Sequence, residues 1–145
     1  MSEKSVALFH CDVANSGLLK IDRIGSGIGV IIYDSARHIG AGFHVLAANS
    51  GGLKPANNFM YANTAVPQVL TEISQKGGTP PFSVAIAGGA TILGGQVEHN
   101  PKKNIVVATK EALRQANLQV TLEETGGTKM RCMVLDINAG KIKIA

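Results

Sequence analysis

Residues Arg23–Leu46 read RIGSGIGVIIYDSARHIGAGFHVL. Gly25-Ser26-Gly27 has the composition of a tight turn, and Ile28–Tyr33 is a β-branched run suited to a buried strand. Asp34–His38 is a polar connection. Gly40–Ala47 alternates small and apolar residues, as a second strand antiparallel to the first would. The stretch therefore frames a site: a turn that can present one group, and a histidine, His44, held on the neighbouring strand. At the tip of the turn stands Gly27, which has no side chain to present.

The rest of the chain is legible outward from this hairpin. Ser5–Val13 and Leu18–Ile21 read as strands separated by the turn residues Asn15-Ser16-Gly17. Ala48–Met60 is a long Asn- and Gly-rich loop, and loops of that length in compact domains often carry function. Tyr61–Gln75 predicts a helix: Ala65, Val66, Val69, Leu70 and Ile73 recur on one face, Pro67 falls early enough to be tolerated, and Gly77-Gly78 closes it. Ser83–Ala87 is a short strand running into Gly88-Gly89-Ala90, followed by a glycine-containing connection over Thr91–His99. A second helix starts at Pro101 or Asn104 and ends at Ala116, with Asn100 before Pro101 as a candidate N-cap. Leu118–Glu123, Met130–Asp136 and Lys141–Ala145 read as three closing strands, with turns at Gly126-Gly127 and Asn138-Ala139-Gly140. The order predicts a single-domain α/β protein, residues 1–145, with two packed, mostly antiparallel β layers and two helices.

Composition narrows the function. The chain has 145 residues, 45% hydrophobic and 17% charged, with no Trp and 4% aromatics. So few aromatics argue against a base-stacking platform, and the net charge of +4 is scattered instead of gathered into a patch, which speaks against nucleic acid as partner. No basic-then-apolar leader and no long apolar run are present, so membrane insertion is not expected and a cytoplasmic setting is. Cys11 and Cys132 form no CxxC pair, and no zinc spacing links them to His10, His38, His44 or His99. Neither a metal nor a cofactor is expected.

Two glycine motifs invite comparison with nucleotide-binding loops, and both fail it. G-S-G-I-G has the wrong spacing for a dinucleotide fingerprint and precedes a strand. GGATILGG lacks the Gly-Lys-Ser/Thr of a phosphate loop. His44 in an apolar strand is more often structural than catalytic, unless something reactive lies opposite. Ser26 is the one hydroxyl in the glycine turn, but no orienting carboxylate is visible in the sequence. Cys11 and Cys132 both fall in strands, where a buried, inert thiol is the ordinary state.

Six motifs in order resemble the CheD family, the chemoreceptor glutamine deamidases of bacterial and archaeal chemotaxis. GSGIGVIIYD is similar to its G-S-C turn and strand, AGFHVL to its A-H-x-M-L-P strand, and YANTAVPQVLTEI to its Y-A-D-x-A-x helix. VAIAGGATIL resembles the A-K-I-x-G-G-A strand and turn, KKNIVVATKEAL the R-N-V-x-A-V helix, and EETGGTKMRCMVLDINAGKIKI the closing D-x-G-G-N-x-x-R segment and hairpin. The likeness runs from about Gly17 to the end. It implies a CheD-like deamidase fold and an activity that hydrolyses receptor glutamine carboxamides to glutamate. In that chemistry a cysteine thiolate attacks, a histidine activates it and a threonine orients the histidine. It also implies partners: the cytoplasmic helices of chemoreceptors and, for some members, a CheC-type phosphatase.

Carried over by position, the family histidine falls on His44, the cysteine on Gly27 and the threonine on Ile21. Two of the three groups are thus missing, and loss of a nucleophile removes most of an enzyme's acceleration. Asn63 and Thr128 also depart from the family's Asp and Asn. The leading expectation is a pseudoenzyme that keeps the fold and acts by binding receptors or a CheC-type phosphatase. One rival is an active protein-glutamine amidohydrolase with a relocated nucleophile, Ser26, Cys11 or Cys132, served by His44. The other is a non-catalytic scaffold in a different complex.

Overall fold

Strand β4 (Ile28–Asp34) and strand β5 (Ile39–Val45) pair antiparallel in full register, from Ile28 opposite Val45 to Asp34 opposite Ile39. The computed structural model describes residues 2–91 and 104–145. In chain order the other elements are β1 (Glu3–Ser5), β2 (Cys11–Ala14), β3 (Leu18–Ile24), α1 (Ala62–Gln75), β6 (Ser83–Gly88), α2 (Ile105–Gln115), β7 (Val120–Thr125), β8 (Arg131–Asp136) and β9 (Lys141–Ile144). They form a five-stranded sheet in the order β2-β5-β4-β6-β7 and a four-stranded sheet in the order β1-β3-β8-β9. Most pairings are antiparallel, and β1–β3 and β6–β7 are parallel. The expected α/β fold of two β layers with two helices is what the chain adopts.

The alternation within β4 and β5 sets the layers. Ile28, Val30 and Ile32 with Ile39, Ala41, Phe43 and Val45 pack into one apolar cluster with α1 and α2. The opposite face of the same strands carries Gly29, Ile31 and Tyr33 with Gly40, Gly42 and His44, as the period-two pleat requires. Ile31 and Tyr33 join Leu19, Ile21, Ile24, Met133 and Leu135 of the second sheet in a separate cluster. The order of layers is therefore helices, five-stranded sheet, four-stranded sheet. The glycines let the two sheets approach: a Cβ built on Gly42 would lie 3.3 Å from Ile21 Cδ1, and one on Gly29 would lie 2.7 Å from Ile24 Cδ1 and 3.1 Å from Met133 Sδ.

Several boundaries differ from the sequence reading. Ser5–Val13 is not one strand. β1 belongs to the four-stranded sheet and β2 to the five-stranded one, and the chain crosses between them through Val6–His10. Phe9 turns this crossing with φ 66°, and its N–H donates to the His44 carbonyl at 2.8 Å. β3 runs on to Ile24 with a bulge: Ile21 pairs with Met133 and Ile24 with Arg131, so Asp22 and Arg23 oppose Cys132 alone. The second helix begins at Ile105, with the Asn104 side chain accepting from the N–H groups of Val106 and Val107. Asn100, Pro101 and the 91–99 connection from residue 92 onward lie outside the described residues.

The β4–β5 connection is held by a buried carboxylate. Asp34 is 1% exposed and accepts from the N–H groups of Ala36, Arg37 and Thr79 and from Arg37 Nη1. Burial pushes its pKa up, but the hydrogen bonds from Thr79 and Arg37 and the Arg37 charge outweigh it, and the net direction is down. A depressed carboxyl contributes stability above its unfolded pKa of about 3.9, and that stability is lost as pH falls through the lower folded value. Asp34→Ala should therefore cost roughly 1–3 kcal/mol near neutrality, because three N–H donors lose their acceptor. Urea unfolding at pH 7 and pH 3 checks this: the difference between wild type and variant should be smaller at pH 3.

Candidate functional site

Three glycine turns meet at the end of the five-stranded sheet. The carbonyl of Gly25 accepts from Ala90 N–H at 3.0 Å and that of Gly27 from Gly89 N–H at 2.7 Å. The carbonyl of Gly88 accepts from Gly126 N–H at 3.0 Å, and Thr91 N–H donates to Gly127 at 2.8 Å. Arg131 closes the cluster, with Nη1 donating to the carbonyls of Gly126 at 2.8 Å and Gly88 at 3.3 Å. Gly88 has φ +127°, and a Cβ there would lie 2.2 Å from the Gly27 carbonyl oxygen, so that position admits glycine only. These turns were legible as turns, but their convergence was not. It depends on the parallel β6–β7 pairing, which brings residues 88 and 125 side by side.

The three positions singled out from the sequence lie in one neighbourhood. His44 pairs across the ladder with Gly29, and Ile21 reaches over the same glycine: its Cγ2 lies 3.3 Å from where a Gly29 Cβ would be. Gly27 stands two residues before Gly29, at the mouth of the β3–β4 turn. The seat at Gly27 is closed. A Cβ on Gly27 would lie 2.4 Å from the Val45 carbonyl oxygen and 2.8 Å from Leu46 Cδ2. Leu46 is a flexible side chain, but the Val45 oxygen is backbone of the paired strand, so any larger residue requires the strand itself to shift. Ile21 is wholly buried in the cluster between the sheets, where a hydroxyl would have to find a partner.

His44 is 6% exposed and its Nε2 is buried without a hydrogen-bond partner. Burial pushes its pKa below the usual 6.5, so the ring stays neutral at pH 7. Of the other candidate nucleophiles, Ser26 is exposed on the turn. Cys11 pairs with Phe43 and packs against the helix-side cluster, on the face of the sheet away from His44. Its thiol is pushed up to about 12, by burial first and then by Glu72 and Asp12, which leaves it protonated. Cys132 lines the same cavity as His44, but no hydrogen bond joins them. Among the described residues no group of three His, Cys, Asp or Glu side chains is placed to hold a metal ion, and no helix is long and apolar enough to cross a membrane. The 48–60 loop is tied down: Asn63 accepts from Ser50 N–H, Asn57 donates to the Phe9 carbonyl, and Thr64 donates to the Asn58 carbonyl.

Comparison with known proteins sets this geometry in context. Residues 46–145 match a family model described as CheD chemotactic sensory transduction, a match that begins just past His44. Proteins named probable chemoreceptor glutamine deamidase CheD are similar over most of the chain. That of Desulforamulus reducens is 31% identical, covering 83% of this chain and 76% of its own. That of Methanococcus vannielii is 34% identical, covering 83% and 80%. The Solibacter usitatus protein is 28% identical, covering 98% and 88%.

Two outcomes test the site as described. Ile21→Thr should destabilise the fold by about 1–3 kcal/mol, since it removes packed atoms and buries a hydroxyl between the sheets; denaturant midpoints measure it. The His44 imidazole should titrate below 6.5 when followed by NMR. Between the unfolded pKa of about 6.5 and the lower folded value, the unfolded chain binds more protons, so stability falls as pH falls. His44→Leu should flatten that part of the stability curve.

Proposed function

This chain belongs to the CheD family, and on that premise we propose that it is a homologue without deamidase activity that works by binding. Its partners are the cytoplasmic helices of chemoreceptors or a CheC-type phosphatase, in the cytoplasm. The observation that carries the proposal is the closed seat at Gly27, where even a Cβ would collide with the Val45 carbonyl. Covalent amide hydrolysis needs a nucleophile within reach of its base, and the base needs an orienting partner. At this site the family cysteine position has no side chain, the family threonine position is an apolar core residue, and His44 Nε2 has no partner. The rival reading, in which a relocated nucleophile serves His44, draws no support from Ser26, Cys11 or Cys132, none of which hydrogen-bonds to the ring.

The expected outcome is binding without chemistry. Receptor cytoplasmic fragments should be captured by the immobilised protein. Their glutamine-bearing peptides should show no mass gain of about one unit, the signature of an amide replaced by an acid through this hydrolysis. Ammonia release that disappears in His44→Ala would overturn the proposal. Gly27→Cys should yield a less stable protein, by roughly 1–3 kcal/mol, because the added atoms overpack against β5.

A further inference from the structure

The two sheets end together on one flank of the molecule. β6 packs over β8, with Ala85 and Ala87 of β6 in one apolar cluster with Met133 and Leu135 of β8. β3 packs against β5 farther across the same interface. The sheets therefore stack in the same sense, and β7 and β9, the last strand of each, run along one flank. Among the described residues neither has a strand on its outer edge. The opposite flank is better protected: β1 has three residues, and Lys4 Nζ donates to the Val13 carbonyl of β2 at 2.9 Å.

β7 is an edge without the usual protection. Its six residues include no lysine and no proline, and Thr121, Leu122, Glu123 and Glu124 are all exposed. The pairing with β6 sorts its faces. Glu123 lies beside Ile86 on the helix side, where Lys110 of α2 meets it at 2.8 Å. Leu122 and Glu124 lie beside Ala85 and Ala87 and face the space between the sheets. Leu122 is 37% exposed there, at the open rim of the core. β9 reads K-I-K-I. Ile142 and Ile144 pack toward the same inner space, and Lys141 and Lys143 stand exposed on the other face, with no ion pair among the described residues. Both edges thus carry apolar side chains inward. On the outward face one is acidic and the other basic.

We propose that these edges pair between two copies of the chain, β7 of each against β9 of the other. A two-fold axis running along the strands exchanges the two layers, so β9 of the second copy arrives at the level of β7. The same rotation turns the isoleucines of that β9 to the face of Leu122 and its lysines to the face of Glu123. Apolar side chains meet on one side of the joint and opposite charges on the other. Each five-stranded sheet continues into the four-stranded sheet of the other copy, and the interface is isologous. A two-fold axis across the strands would instead set β7 against β7 and β9 against β9. Carboxylates would then face carboxylates and lysines face lysines, which is unfavourable. Glu123 already accepts from Lys110, and its carboxylate has lone pairs for a second lysine. This pairing does not depend on the receptor-binding reading above.

Sedimentation of the full chain should show a monomer–dimer equilibrium that weakens as salt is raised, because exposed ion pairs are screened. Lys141→Glu combined with Lys143→Glu makes both edges acidic and should leave the chain monomeric where the wild type dimerises. Glu123→Lys combined with Glu124→Lys makes both edges basic and should do the same. An equimolar mixture of the two variants should restore the dimer, since each edge then meets its opposite. Circular dichroism establishes that both variants are folded. A wild type that stays monomeric up to millimolar concentration would overturn the proposal. So would a dimer unmoved by the Lys141→Glu and Lys143→Glu pair, or folded variants that stay apart when mixed.

Discussion

The close approach of the two sheets is the constraint on which the rest of this structure depends. It is built from what is missing on one face of β5 and β4. Gly40, Gly42 and Gly29 present no side chains toward the second sheet, so Leu135, Ile21 and Ile24 with Met133 fill those notches. Interiors pack at crystal-like density, and a sheet face without side chains can be filled only by residues from the facing sheet. His44 is the exception among the β5 residues on that face. It is the one polar side chain of β5, and it is buried because the layers on either side of it are pressed together.

The same closeness bears on the meaning of Gly27 and Ile21. Here the backbone of β5 fills the space a side chain would need, and Ile21 is part of the packing that brings the sheets into contact. Both positions serve the close approach: Gly27 leaves room for the β5 backbone at the mouth of the turn, and Ile21 fills volume between the sheets.

Much of this was legible in the sequence, and the unread part has physical causes. The β4–β5 hairpin was readable because period-two alternation and turn chemistry agree there. The α1 helix was readable because its apolar stripe is long and regular. The single strand expected over Ser5–Val13 failed because composition reports that residues suit a sheet, not which sheet. Its break at Phe9 is a backbone turn by a residue type that gives no turn signal. The bulge at Asp22 and Arg23 was invisible for a related reason, since it exists only in the pairing with β8. At the site, local pattern was enough to put His44 on its strand and Gly27 in the turn before β4. The cavity that joins His44 to Arg23, Arg131 and Cys132 could not be read that way, because its walls come from the two ends of the chain.

That last point has a consequence for how the protein is made. β3 carries much of the inner sheet packing, yet its main partner is β8, with Ile21 opposite Met133, almost the whole chain later. The short parallel β1 covers one edge of β3 over three pairs, and the other edge has no partner until the C-terminal hairpin is synthesised. During that interval Leu19, Ile21 and Ile24 lack the β8 side of their ladder and the packing of Met133 and Leu135. Unpaired strand edges and late, non-local pairing are the conditions under which chains fold slowly and associate wrongly. The clamp of Arg131 on Gly88 and Gly126 is completed in the same late step, so the site takes shape only when the fold as a whole does.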